Sequence, residues 1–458
     1  MLPRRWVLSM LMVVLTTTAS RALSEENLQG HSPKLADAVS LLKKGKYIEA
    51  RDRLLGLLEK DAEGGLVPMY IAVALLRIER VEVSPFPSVD NLRKALEFAE
   101  RALCDDCTLV AARMAKAVAL ARLGYTVQAE WEFNAILQAI RGREEYDELA
   151  KQAKRWLATL RPWSLQFQVG AHYDTNVTQV GQNVAIPREF DRREDFRFGV
   201  SVDGLRRVYL EDRAEVILGA GASSVWHADL DSFDEQSYRG SVALEHRATD
   251  LLHVGLAYEY DFNLLGREDY LSRHQLTPHF SILGPGTGTT FFYRFDSRRY
   301  FDVPSLEASG PFDRTGDIHV FGLAHTHSVG QTSNGDVLLQ LGYKHENVST
   351  RGTEYDARND VLTASLLAPL PGDMSIHLGA DWAWEDYKRR STLDRFHRGQ
   401  HALVQTYFLT VTKRLSPNVA ILMEVLWQDD DSNIRTRDRE SVFSYDRTLA
   451  GIALHVAL

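Results

Sequence analysis

The sequence predicts an α + β multidomain protein: an N-terminal α-helical solenoid followed by a C-terminal antiparallel transmembrane β-barrel of about 14 strands. Three observations predict it. Positions 35–160 carry apolar residues at helical spacing. Positions 164–458 alternate apolar and polar residues with period two. The connections in that second region alternate long and short, as they do in barrels with short turns at one membrane face and long loops at the other.

In chain order, Arg4 and Arg5 precede an apolar run from Trp6 to Leu15, and the small residues Ala19, Ser20 and Ala22 follow. This pattern predicts a secretory signal peptide over 1–22, the run being too short for a membrane helix. With no cysteine near the cut site, lipid attachment there is not expected. The two cysteines, Cys104 and Cys107, stand in Cys-Asp-Asp-Cys; in an exported chain they could close a small disulfide or remain two thiols.

The helical region, 33–161, repeats. A first segment holds Gly45, Tyr47, Ala50 and Leu54, a second Ala95, Ala99 and Ala102, a third Ala117, Leu120, Gly124, Ala129, Phe133 and Ile136. Ala95 and Ala129 are 34 residues apart, the period of tetratricopeptide repeats. Ala50 and Ala95 are 45 apart, so a connector is expected, with 83–91 and its Pro85 and Pro87 supplying most of it. Small residues let paired helices approach closely, and Gly45 and Gly124 stand where a first helix must end. A single hairpin cannot bury its apolar stripe, so neighbours must stack. A last helix over 143–160, with Tyr146, Leu149, Ala153, Trp156 and Leu160 on one stripe, would cap the stack. Arg161-Pro162-Trp163 then leads into the first strand without a flexible linker. An unrelated helical bundle is the competing reading of this region.

The strand region opens at Leu165. Leu165, Phe167, Val169, Ala171 and Tyr173 form one row; Gln166, Gln168, Gly170, His172 and Asp174 form the other. Later apolar rows include Leu252 with Val254, Leu256, Tyr258, Tyr260 and Phe262, and Met374 with Ile376, Leu378, Ala380, Trp382 and Trp384. Each row spans about 9 to 11 residues, enough for a tilted strand to cross a bilayer. Long connections are expected near 178–194, 228–236, 297–314, 386–397 and 428–442, and short ones near 249–250, 284–287, 328–334, 370–373 and 415–418. The first hairpin is long, which places the start of strand one, and the helical domain, in the periplasm. Tyr173, Trp226, Tyr258, Trp382 and Trp427 stand toward strand ends, as interfacial girdles do. A soluble β-sandwich or propeller is the alternative.

This layout resembles that of the surface lipoprotein assembly modifier proteins of Gram-negative bacteria. The stretch Gly170-Ala-His-Tyr-Asp-Thr-Asn-Val177 is similar to the Tyr-Asp-Ser-Asn opening of the first strand in such barrels, with Thr175 in place of the serine. The same opening occurs in exopolysaccharide exporters. The resemblance implies an outer-membrane barrel that delivers a client, a surface protein or lipoprotein, to the cell surface. Its periplasmic helical domain would recruit that client or its chaperone, and the barrel would rely on outer-membrane lipid and barrel-insertion machinery. A polysaccharide export pore and a non-transporting envelope scaffold are the alternatives.

The residues point to no enzyme and no cofactor. His325-Thr-His327 could place two imidazoles on one strand face, but no third ligand stands at metal-site spacing. Lumen lining is the better expectation for the histidines after Ser164, and for Gln166, Gln168, His172, Asp174, Arg239, Arg294, His377, Asp381 and Glu385. Asp381 and Glu385 are expected to pair with inward arginines such as Arg239 or Arg294. Mixed charge in the lumen rows predicts no strong ion selectivity, and the net charge of −9 argues against nucleic acid as a partner.

Overall fold

The computed structural model describes residues 32–58, 65–81, 89–160, 162–179, 193–211, 213–249, 251–284, 286–301, 310–332, 335–392, 394, 399–416, 418–434 and 444–458. The expected signal peptide lies outside the described residues, and so does most of the expected 83–91 connector, whose last positions already belong to a helix. The chain divides into a helical unit and a strand unit.

Seven α-helices make up the first unit among the described residues: α1 (Pro33–Lys43), α2 (Tyr47–Leu58), α3 (Leu66–Val81), α4 (Val89–Asp105), α5 (Val110–Leu123), α6 (Thr126–Ala139) and α7 (Asp147–Thr159). Ser32 caps α1 by accepting from the Leu35 N–H at 3.3 Å, and Pro33 takes the first turn, where its missing N–H costs nothing. Gly124 ends α5 at φ 86°, and the Tyr125 N–H donates to the Leu120 carbonyl at 2.9 Å. That left-handed cap favours glycine.

Ala50, Ala95 and Ala129 fall on α2, α4 and α6, the second helix of each hairpin, and all three are fully buried. Ala99, Ala102, Ala117, Leu54, Phe133 and Ile136 are buried beside them, while Tyr47 is half-buried. The stack therefore carries two linked cores. One gathers α1 to α5 around Leu35, Ile71 and Leu92; the other gathers α5 to α7 around Met114, Phe133 and Leu149. Phe133 stacks on Trp156 of the capping helix, with ring centroids 5.9 Å apart. No helix among the described residues is long and apolar enough to cross a membrane.

The second unit is a closed barrel of 14 strands, each antiparallel to its neighbours in chain order, with β1 (Trp163–Asp174) closing on β14 (Tyr445–Ala457). Between them lie β2 (Asp195–Glu211), β3 (Ala214–His227), β4 (Glu235–Arg247), β5 (Leu252–Leu265), β6 (Glu268–Gly284), β7 (Thr287–Tyr300) and β8 (Gly316–Thr332). Then follow β9 (Gly335–Thr350), β10 (Ala357–Leu370), β11 (Met374–Arg390), β12 (Gly399–Ser416) and β13 (Val419–Ser432). Closure removes the free edges that a sheet would otherwise expose.

The connections sort by end as the sequence predicts, with one departure. Gly266-Arg267 joins β5 to β6 in two residues at the long-loop end, both at positive φ (56° and 73°), the conformation of a type I′ hairpin turn. The outward rows are apolar and exposed: Phe167, Val169 and Tyr173 on β1, Leu256, Tyr258 and Tyr260 on β5, Met423, Val425 and Trp427 on β13. In water such a surface would be an aggregation hazard; around a closed barrel it is the face that meets lipid.

Candidate functional site

Period-two alternation turns the opposite row inward. All nine predicted lumen residues lie on it: Gln166, Gln168, His172 and Asp174 on β1, Arg239 on β4, Arg294 on β7, and His377, Asp381 and Glu385 on β11. Asp174 is fully buried. Its Oδ1 accepts from Arg447 Nε at 3.0 Å and its Oδ2 at 3.1 Å, while Arg197 lies 4.0 Å away on β2. One carboxylate thus ties the strands on either side of β1.

A recurring arrangement crosses whole strands. Arg239 bonds Asp203 of β2 at 2.5 Å, passing over Gly221 of β3, which is in register with Arg239. A Cβ at Gly221 would stand 2.5 Å from Asp203 Oδ1. His279 of β6 meets Glu245 of β4 at 3.4 Å over Gly255 of β5, in register with both. His172 meets Glu424 of β13 at 3.2 Å over Gly451 of β14, again in register with both. In each case the missing side chain of the middle strand leaves room for polar groups two strands apart to touch.

Two expectations change. Arg239 and Arg294 do not pair with Asp381 or Glu385: Arg239 is taken by Asp203, and Arg294 lies 3.6 Å from Glu346. Strand order decides this, because β4 and β7 are far around the ring from β11. Glu385 instead accepts from the Tyr387 hydroxyl at 2.7 Å. His325 and His327 are not lumen residues. They share the outward row of β8 with the exposed Phe321, Leu323 and Val329, and His325 Nδ1 lies 2.9 Å from Thr289 Oγ1. His274 and His319 also join the outer aromatic belt, bonded to Tyr258 (2.8 Å) and Tyr293 (2.7 Å). Among the described residues, no three His, Cys, Asp or Glu side chains form a group that could hold a metal ion. Cys104, in the last turn of α4, and Cys107, in the turn beyond it, are exposed free thiols, so the small disulfide is not formed.

Sequence reasoning missed Asp203, Glu424 and Arg447 as lumen partners. The signal that could have found Asp203 and Glu424 is a glycine on the inward row of the intervening strand.

The helical unit presents a separate surface. On α6, Val127 and Trp131 stand one turn apart, and Trp131 is 74% exposed while Ala129, Phe133 and Ile136 of the same helix are buried. Beside them Glu132 is buried and bonded to Lys116 at 3.0 Å, with Arg113 at 3.9 Å. Lys116 also lies 3.5 Å from Glu100. Burial works to lower the Lys116 pKa, but the two glutamates outweigh it and hold the ammonium above its ordinary value.

No protein-family model matches the chain, and no curated protein matches it. Among solved structures, the second TPR domain of the human RPAP3 protein, in complex with an HSP70 peptide, is similar to part of the chain. It is 20% identical, with 28% of this chain and 91% of that one covered, at a TM-score of 0.23. An anion-selective porin from Comamonas acidovorans is 9% identical over 65% of this chain and 98% of its own, at a TM-score of 0.37. A bacterial polysaccharide outer membrane secretin is 9% identical over 64% of this chain and 98% of its own, at a TM-score of 0.33.

Proposed function

We propose that the barrel spans the outer membrane and moves a client, a surface protein or lipoprotein, to the cell surface. The helical domain lies in the periplasm and recruits the client or its chaperone. The observation that carries this reading is one chain joining a stacked-hairpin domain with an exposed Trp131 to a closed barrel with an apolar outer face and a polar lumen. Stacked hairpins present extended surfaces suited to holding another chain. Barrels of 8 strands have filled interiors and those of about 16 to 18 have open channels, so 14 strands leave room for a lumen between these cases. The proposal assigns the protein no catalysis and no cofactor, and its further partners are outer-membrane lipid and the machinery that inserts barrels.

Deletion of the gene, followed by protease shaving of intact cells, tests it. Loss of a surface protein with surface glycan intact is the expected result. Loss of surface glycan with surface proteins intact would replace this reading with polysaccharide export.

A further inference from the structure

The lumen charges divide unequally around the ring. From β14 through β7, arginines are held by carboxylates: Arg447 by Asp174, Arg239 by Asp203, Arg273 by Asp261 and Glu259, and Arg298 by Asp296 at 2.7 Å. On β11 and β13 the balance is different. Asp381, Glu385 and Asp430 face inward, opposite the exposed rows of Leu378 and Trp384 and of Val425 and Trp427. None of the three has a cation within ion-pair distance among the described residues. Lys344 of β9 is engaged with Glu346 at 2.9 Å, Arg389 of β11 with Asp356 at 3.6 Å and Arg447 of β14 with Asp174, while Arg414 stands on the inward row of β12 at the far end of that strand from Ala402.

Register brings the three carboxylates onto one patch of wall. Asp381 is level with Thr406 of β12, and Glu385 with Ala402. Val404, between those two, is level with Ala383 on one side and Asp430 on the other. Asp430 therefore stands across β12, midway between Asp381 and Glu385 along the wall. The intervening inward side chains, Ala402, Val404 and Thr406, carry no charge to offset them.

Against the sequence expectation of no strong ion selectivity, we propose that the lumen passes cations in preference to anions, and that Asp381, Glu385 and Asp430 set this preference. When these carboxylates are ionised they place charge of one sign on a low-dielectric wall, which concentrates counter-ions and repels co-ions. Elsewhere the inward arginines stand beside carboxylates that offset part of their field, Asp174 being shared by Arg447 and Arg197 and Glu346 by Arg294 and Lys344. The inference rests on the barrel being an open conduit, as the proposed function requires.

The test is the reversal potential of the full-length protein in a planar bilayer under a potassium chloride gradient. The expected result is conductance whose reversal potential lies toward the potassium equilibrium value. The triple variant D381N/E385Q/D430N should shift it toward zero, and the single variants E385Q and D430N should each produce part of that shift. Conductance reversing near zero, or toward chloride, in the unaltered protein would overturn the selectivity while leaving the conduit reading intact. A shift absent from every variant would remove these residues from the cause. A folded barrel that never conducts would overturn both the conduit and the inference.

Discussion

Glu424 Oε2 on β13 lies 3.2 Å from His172 Nε2 on β1, and Gly451 of β14 is the residue between them. The contact joins the first strand to the penultimate one across the last, at the place where the barrel closes. A Cβ on Gly451 would run into the His172 ring and the Ala171 carbonyl oxygen. Gly451→Val should therefore cost about 1–3 kcal/mol, as overpacking does. The check is heat modifiability in detergent gels: the folded band should be lost at a lower temperature than in the unaltered protein, with Gly451→Ala between the two.

Asp174 is fully buried and depends on Arg447. Arg447→Met leaves that carboxylate with Arg197 at 4.0 Å as its remaining cation, and removing one partner of a buried pair costs about 3–5 kcal/mol. Adding Asp174→Asn should restore most of the loss, because no unpaired charge then remains. Urea unfolding of the barrel in micelles measures both, and a double variant no more stable than Arg447→Met would contradict this account.

Phe133 joins the last hairpin to the capping helix through its stack on Trp156. It is fully buried, so Phe133→Ala should destabilise the helical domain by about 3–5 kcal/mol. Thermal loss of the helical circular dichroism signal should move down in temperature while heat modifiability of the barrel stays unchanged.

Lys116 gives the helical domain a pH dependence. Its folded pKa lies above the unfolded value of 10.5, so its contribution to stability is complete below that value and is lost as pH rises through the folded pKa. The melting temperature of the helical signal should fall as pH is raised past that range. Lys116→Met should lower the melting temperature at neutral pH and flatten the alkaline fall.

The architecture was legible because both periodicities are strong and local. The buried alanines at 50, 95 and 129 announce the hairpins, and alternating rows with alternating loop lengths announce the strands. The same alternation sets the nine residues expected in the lumen on the row opposite the exposed apolar one. Which charges meet was not legible. Arg239 could not be assigned to Asp203 from composition, since the contact passes over Gly221 and depends on strand order and register together. The outward placement of His325 and His327 follows from their parity with Phe321 and Leu323, a local signal outweighed by the assumption that polar side chains face the lumen.

The measurement that tests the central claim most directly is photocrosslinking in living cells from Val127 and Trp131, the exposed apolar pair on α6. The account predicts capture of an exported protein or lipoprotein, or of its periplasmic chaperone, at these positions and not at buried ones such as Ala129. Capture of a glycan or of a subunit of glycan synthesis, or of cell-wall components alone, would contradict client recruitment by the helical domain.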